Sequence, residues 1–140
     1  MAFIRPDAYY IRNRDGNRYI GLNETNHVSA FQGQGNPPIW TVTRTSDGQF
    51  ILVVDKKEAA SSDGNIIGVD SVGTRWKIQS HDGYPRNVYT IENATSRSTG
   101  WVLNHDADLV KDRPLIVYPS FPPRYPDIEL WEFEEAPEST

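Results

Sequence analysis

The chain has 140 residues, 14 basic against 19 acidic side chains for a net charge of −5, and no cysteine. Its length suits one domain, which at this size buries roughly two-thirds of the surface exposed on unfolding, and the missing thiols exclude disulfides, thiolate metal cages and cysteine nucleophiles. An acidic balance without a basic block argues against nucleic acid as a partner, and no run approaches the ~18 apolar residues of a membrane span.

Met1 to Asp7 carry no apolar leader, so a cytoplasmic protein is expected. Tyr9-Tyr10-Ile11-Arg12 alternates toward a turn at Asp15-Gly16, and Arg18 to Leu22 leads away, which predicts a hairpin over residues 8–22. Asn23-Glu24-Thr25-Asn26-His27 has almost nothing to bury and reads as an exposed loop. A short strand, Val28 to Phe31, precedes the breaker Gly33 to Pro38. Ile39-Trp40-Thr41-Val42-Thr43 then alternates into the turn Asp47-Gly48 and closes a first unit.

The second unit opens with Phe50 to Val54, apolar enough to be buried on both sides. It continues through a weak strand near Ala59-Ala60, a turn at Asp63-Gly64-Asn65, a strand Ile66 to Val69, and closes on Trp76. The third runs from Val88-Tyr89-Thr90-Ile91 into Trp101-Val102-Leu103, then a strand Leu115 to Tyr118, and closes on Trp131. Unit starts at Tyr9, Phe50 and Tyr89 lie 41 and 39 residues apart.

Three units of about 40 residues, each with about four short strands and a closing tryptophan, predict an all-β chain: a β-trefoil of twelve strands in three pseudo-repeats. The boundaries are approximately 8–48, 49–86 and 87–135 within one domain of residues 1–140, with a tail at 136–140. A β-sandwich is the structural alternative. No segment of ten or more residues carries an uninterrupted 3.6-residue apolar period, so helix is not expected.

His27, His81 and His105 fall in different units. His105-Asp106-Ala107-Asp108 is the one dense cluster of ligand type and reads as a solvated turn, so neither metal nor cofactor is expected. There is no Gly-x-Ser-x-Gly elbow, phosphate loop or His-Glu-x-x-His, and therefore no sign of an enzyme. Two sequons, Asn23-Glu24-Thr25 and Asn93-Ala94-Thr95, stand without a signal segment to route them to glycosylation. Trp40, Trp76 and Trp131 read as core, and so does Trp101, the one tryptophan for which a surface role is the alternative. The acidic stretch Glu132 to Glu138 reads as a charged solvent face before a frayed end. Asp112 to Pro126 holds five of the ten prolines and is expected to run as a stiff cover plugging one barrel end; its other reading is an extended, proline-rich ligand for another protein.

Arg113-Pro114-Leu115-Ile116-Val117, Pro119-Ser120, Pro122-Pro123-Arg124-Tyr125-Pro126 and Glu129-Leu130-Trp131-Glu132 together resemble the closing segment of mushroom serine protease inhibitors of the cospin type. Tyr10-Ile11-x-Asn13, Ile20-Gly21 and Trp40 followed by Asp47-Gly48 fit as well. The resemblance implies a fungal β-trefoil, a defence protein, that inhibits trypsin-like serine proteases by inserting an exposed loop. The loop after the second strand comprises Asn23, Glu24, Thr25, Asn26, His27, Val28 and Ser29. It contains no Arg or Lys, so Asn26 is the candidate for entering a specificity pocket, by hydrogen bonding. Lys56, Lys57, Arg86, Arg97, Lys111 and Arg124 on other loops are competing insertion points. A carbohydrate-binding lectin is the alternative, weakened because the sugar-binding trefoils of ricin-B type carry Gln two places before the tryptophan, where this chain has Pro38, Thr74 and Glu129. Inhibition of cysteine proteases through another loop is a third reading. Polar loops without an obvious apolar patch predict a monomer.

Overall fold

The computed structural model describes residues 4–96 and 98–137; Met1 to Phe3, Arg97 and the last part of the tail, Glu138 to Thr140, lie outside the described residues. Twelve strands follow in order: β1 (Ala8–Asn13), β2 (Arg18–Leu22), β3 (Val28–Ala30), β4 (Trp40–Arg44), β5 (Phe50–Val54), β6 (Lys57–Ser62), β7 (Asn65–Val69), β8 (Trp76–Ser80), β9 (Val88–Asn93), β10 (Thr99–Val102), β11 (Lys111–Pro114) and β12 (Trp131–Glu135). A 3-10 turn, Asp127–Glu129, precedes β12, and no helix among the described residues is long and apolar enough to cross a membrane.

Alternation decides which strands face inward. In β4, Trp40 and Val42 are buried while Thr41 and Thr43 are exposed, and β8 repeats this with Trp76 and Ile78 against Lys77 and Gln79. β5 was expected to be buried on both faces; it buries Phe50, Leu52 and Val54 and leaves Ile51 and Val53 half-buried, because only one of its faces meets the core. Six strands close a ring of antiparallel neighbours, β1 to β4, β5, β8, β9, β12 and back to β1. Three hairpins, β2–β3, β6–β7 and β10–β11, stand off the ring. A closed ring leaves no free edge for another chain to extend.

The ring is filled by tryptophan. Trp40, Trp76 and Trp131 close the three units, and each donates its indole N–H to a carbonyl on the second strand of its own unit: Ile20 at 3.0 Å, Ala59 at 3.2 Å and Trp101 at 3.0 Å. Trp101 takes the core position favoured for it, and not the surface role that was its alternative. Its side chain is 0% exposed and sits edge-on to the other three indoles, with centroid distances of 5.7, 5.3 and 6.1 Å. Buried aromatic pairs prefer this edge-to-face arrangement.

Two further expectations fail near the end of the chain. The strand expected at Leu115–Tyr118 lies four residues earlier, at Lys111–Pro114, paired residue by residue with β10. Leu115 N–H still reaches Ser98 O at 2.8 Å, but Ile116 N–H turns instead to the Glu129 carboxylate at 2.6 Å, and the chain leaves the sheet. The middle of the proline-rich segment consequently does not plug the ring, although its end, Arg124 and Tyr125, lies over Tyr84 and His81. Residues 116–124 are all exposed and fold back on themselves, with Tyr118 N–H bonded to Arg124 O at 2.7 Å. That closure also rules out an extended proline helix, which would carry residues 118 and 124 about 19 Å apart. At Ala59-Ala60 the weak strand is a full six-residue strand, β6.

The acidic stretch on β12 is engaged within the molecule. Glu132 pairs with Arg12 and Arg14, Glu134 with Arg12, and Glu135 with Arg5.

Candidate functional site

β2 and β3 pair through Leu22 and Val28, and the five residues between them form the turn of the candidate loop, whose last two residues, Val28 and Ser29, lie in β3. Its backbone is closed twice: Asn23 N–H donates to His27 O at 2.9 Å, and Asn26 N–H to Asn23 O at 3.0 Å. The Asn23 side chain then props the turn from inside, its Oδ1 accepting from Thr25 N–H (2.9 Å), Thr25 Oγ1 (2.8 Å) and His27 N–H (3.0 Å). Thr25 Oγ1 spends its proton on Asn23, so the 2.9 Å contact to His27 Nδ1 is donated by the imidazole. Asparagine suits this role because its short amide bonds readily to backbone two residues on.

Asn26 occupies the left-handed region at φ 62°, which asparagine tolerates better than most residues. Its carbonyl accepts the N–H of Gly68 on β7 at 2.8 Å, and His27 forms a bridge to Ile67. The loop thus leans on the second unit. Gly68 permits this approach: a Cβ there would lie 2.8 Å from Leu22 Cδ1 and 3.1 Å from Lys57 Cβ. Glu24, Thr25 and Asn26 are exposed at the tip, and the Asn26 carboxamide makes no hydrogen bond among the described residues. Val28 and Ser29 are buried, with Ser29 bridged to Leu109. Beside the loop lies a recess of about 520 Å³, walled by Gly21 to Thr25, Ser29 to Gln32, Asp108 and Leu109.

Of the loop expected to be exposed from Asn23 to Ser29, only Glu24, Thr25 and Asn26 reach the tip, because Val28 and Ser29 are paired in β3 and buried; Gly68 was not legible in the sequence. It lies 42 positions from Asn26, and nothing local marks it. Among the competing cations, Lys57 flanks the loop beside Gly68 and is paired with Asp70 at 2.7 Å. Lys111 is bonded to Asn65, and the Arg124 guanidinium lies over the Tyr84 ring at 4.8 Å. Arg86 is exposed and Lys56 sits in the β5–β6 turn at φ 64°; Arg97 lies outside the described residues. His105 reaches Asp15 at 3.1 Å on the surface, and no group of three His, Asp or Glu able to hold a metal occurs among the described residues. All four tryptophans are fully buried, so none offers a face to a sugar ring.

Another residue escaped the sequence reading. Glu129 is 1% exposed, its Oε2 holds Ile116 N–H, and its Oε1 has no partner. Burial raises its carboxyl to about 6, from an ordinary 4.5. Its place two residues before Trp131 was the sole available signal.

The molecule is thus a ring of six strands carrying three hairpins, with a propped loop between β2 and β3. The chain belongs to the family described as peptidase inhibitor I66, whose model matches residues 2–135. Among solved structures, a proteinase inhibitor from Coprinopsis cinerea is 28% identical, with a TM-score of 0.84 over 96% of this chain and 100% of that one. The Rhizoctonia solani agglutinin (14% identity, TM-score 0.70, 97% and 99% covered) and the Macrolepiota procera ricin B-like lectin in complex with lactose (12%, 0.68, 97% and 100%) share the fold. No curated protein matches the chain significantly.

Proposed function

We propose that this chain is a β-trefoil inhibitor of trypsin-like serine peptidases, of the cospin type, acting through the loop Asn23–Ser29. The units 8–48, 49–86 and 87–135 would form a single domain, each contributing two strands to the ring. The observation that carries the reading is the loop itself, exposed at Glu24–Asn26 and fixed from beneath by Asn23 and Gly68. A loop already held in one conformation loses little entropy on association, and an interface of standard size, roughly 1,600 Å², then yields tight binding.

The same geometry refines what the loop offers. Because the Asn26 carbonyl is turned onto Gly68, the group left free to enter a pocket is the Asn26 carboxamide, a neutral donor and acceptor. Asn26 therefore acts by filling and hydrogen-bonding the pocket, while the peptide bond that follows is held against the barrel. The test is trypsin inhibition by the wild type, Asn26→Ala and Asn26→Gly. The expected result is potent inhibition by the wild type and a large loss in both variants; undiminished inhibition by both removes Asn26 from the site. Papain inhibition in place of trypsin inhibition would move the target to cysteine peptidases.

A further inference from the structure

The expectation of a monomer rested on the lack of an apolar patch, and the segment after β11 supplies one. Ile116, Val117 and Tyr118 are 54%, 48% and 51% exposed, and Phe121 is 102% exposed at the tip. A contiguous run of exposed apolar side chains, unlike a lone one, marks an interaction surface. Nor is the segment loose. Tyr118 and Arg124 bridge its neck, Ser120 N–H bonds Tyr118 O at 2.8 Å, and Ser120 Oγ bonds Pro122 O at 2.8 Å. At its base Tyr125 N–H donates to Tyr84 Oη at 3.0 Å, the Tyr125 ring lies against His81 at 4.3 Å, and Arg124 covers Tyr84.

Beside this arm opens a cleft of about 790 Å³ between the Asp47-Gly48 turn and the His81–Arg86 turn, with Pro123 as part of its wall. Its lining mixes Phe50, Ile78 and Pro85 with polar groups. A projecting aromatic ring and a recess large enough to receive one thus lie side by side on one face. This is the arrangement a twofold axis uses, since the knob of each copy then meets the hole of the other. Charge allows the match. From Arg113 to Pro126 there are two arginines and no carboxylate. The cleft presents Asp47 and Asp82, balanced by Lys77 and Arg86.

We propose that this face is a self-association surface, on which two copies pair about a twofold axis with the Phe121 of each seated in the cleft beside the other's Pro123. Burying Phe121 and the exposed half of Tyr118 removes about 300 Å² per copy, since an aromatic side chain buries about 150–250 Å². Doubled over the axis and joined by Ile116, Val117 and the cleft rim, the contact falls near the low end of specific interfaces, about 1,200 Å². The pairing is therefore weak, with dissociation on the order of 100 µM, and requires nothing of the loop Asn23–Ser29.

The experiment is sedimentation equilibrium of the full chain up to about 500 µM. Wild type is expected to show a reversible monomer–dimer equilibrium. Phe121→Ser, removing the knob, and Gln79→Trp, placing an indole at an exposed position in the cleft, should each weaken it more than tenfold with unchanged Tm. Mixing the two variants should restore part of the association, because one knob and one open cleft then remain. A monomeric wild type at the highest concentration overturns the proposal, as does a Phe121→Ser chain that dimerises like wild type. A monomeric wild type that binds chymotrypsin in a Phe121-dependent way also overturns it, assigning the arm to a different protein.

Discussion

Replacing Asn23 by alanine separates the conformation of the loop from its contacts. Asn23 lies behind the exposed tip, so the substitution leaves the Glu24–Asn26 surface chemically intact and removes an oxygen that accepts three hydrogen bonds, at 2.9, 2.8 and 3.0 Å. A neutral hydrogen bond contributes about 0.5–1.5 kcal/mol net, and the freed Thr25 and His27 groups at this half-exposed site recover part of that from water; we expect a loss of about 1–3 kcal/mol in loop order. That cost reappears on binding, so the inhibition constant should rise about 5- to 150-fold. The backbone closures to His27, Asn23 and Gly68 remain, and Tm should fall by only a few degrees, about 2–4 °C per kcal/mol being usual for chains of this size or somewhat larger. Asn93 provides the control: its Oδ1 accepts from Thr95 N–H, Thr95 Oγ1 and Ser96 N–H at 2.9, 2.8 and 3.2 Å in another turn. Asn93→Ala should lower Tm comparably or more and leave inhibition intact. The assay is a trypsin inhibition constant measured beside thermal unfolding for both variants. Unchanged inhibition by Asn23→Ala, or equal losses in the two, would mean that the Asn23 hydrogen bonds do not prepare the loop for binding.

Glu129 makes stability depend on pH in an unusual sense. Its folded-state carboxyl, raised to about 6 from 4.5, holds a proton that the unfolded chain has released, so stability is greatest below that window and falls as pH rises through it. The gap is worth about 2 kcal/mol, and Glu129→Gln, which keeps an acceptor for Ile116, should be more stable than wild type by about that much at pH 7 and equal to it at pH 4. Urea unfolding at the two pH values checks this, and parallel behaviour of the two proteins would refute it. Trp101→Ala empties the point where four indoles meet and should cost about 3–5 kcal/mol, seen as a large drop in urea midpoint at unchanged m-value. Gly68→Ala forces the new Cβ against Leu22 and Lys57 behind the loop; it should weaken trypsin inhibition several-fold with a smaller effect on Tm, and equal inhibition by this variant would argue that β7 does not hold the loop.

The closing strand of each unit was legible because it alternates over its own length: Trp40 and Val42, Trp76 and Ile78, Trp131 and Phe133 all face inward, whereas β1 and β9 bury consecutive residues. The turns were legible through glycine, with Gly16, Gly48, Gly64 and Gly83 all at φ between 79° and 88°. β11 was not, because Lys-Asp-Arg-Pro carries no pattern and becomes a strand through its pairing with β10. The apolar run after it looked more strand-like and projects into solvent, since Glu129 takes the Ile116 N–H that a sheet partner would have used. Of the site, the polar loop was visible as a failure to bury anything. The group that fixes its tip, Gly68, lies on a different unit, where a local reading does not reach.

The three indole hydrogen bonds have a consequence for how such a chain can change. Their acceptors are the carbonyls of Ile20, Ala59 and Trp101, so the wiring repeats three times while the side chains attached to it range from a single methyl to an indole. Copying the second or the third unit over the other two would preserve these three hydrogen bonds and still fail: three tryptophans would overfill the axis, and three alanines would hollow it. Drift at any one of these positions is therefore conditional on the other two, and a redesigned version with identical thirds must be solved for volume at all three together.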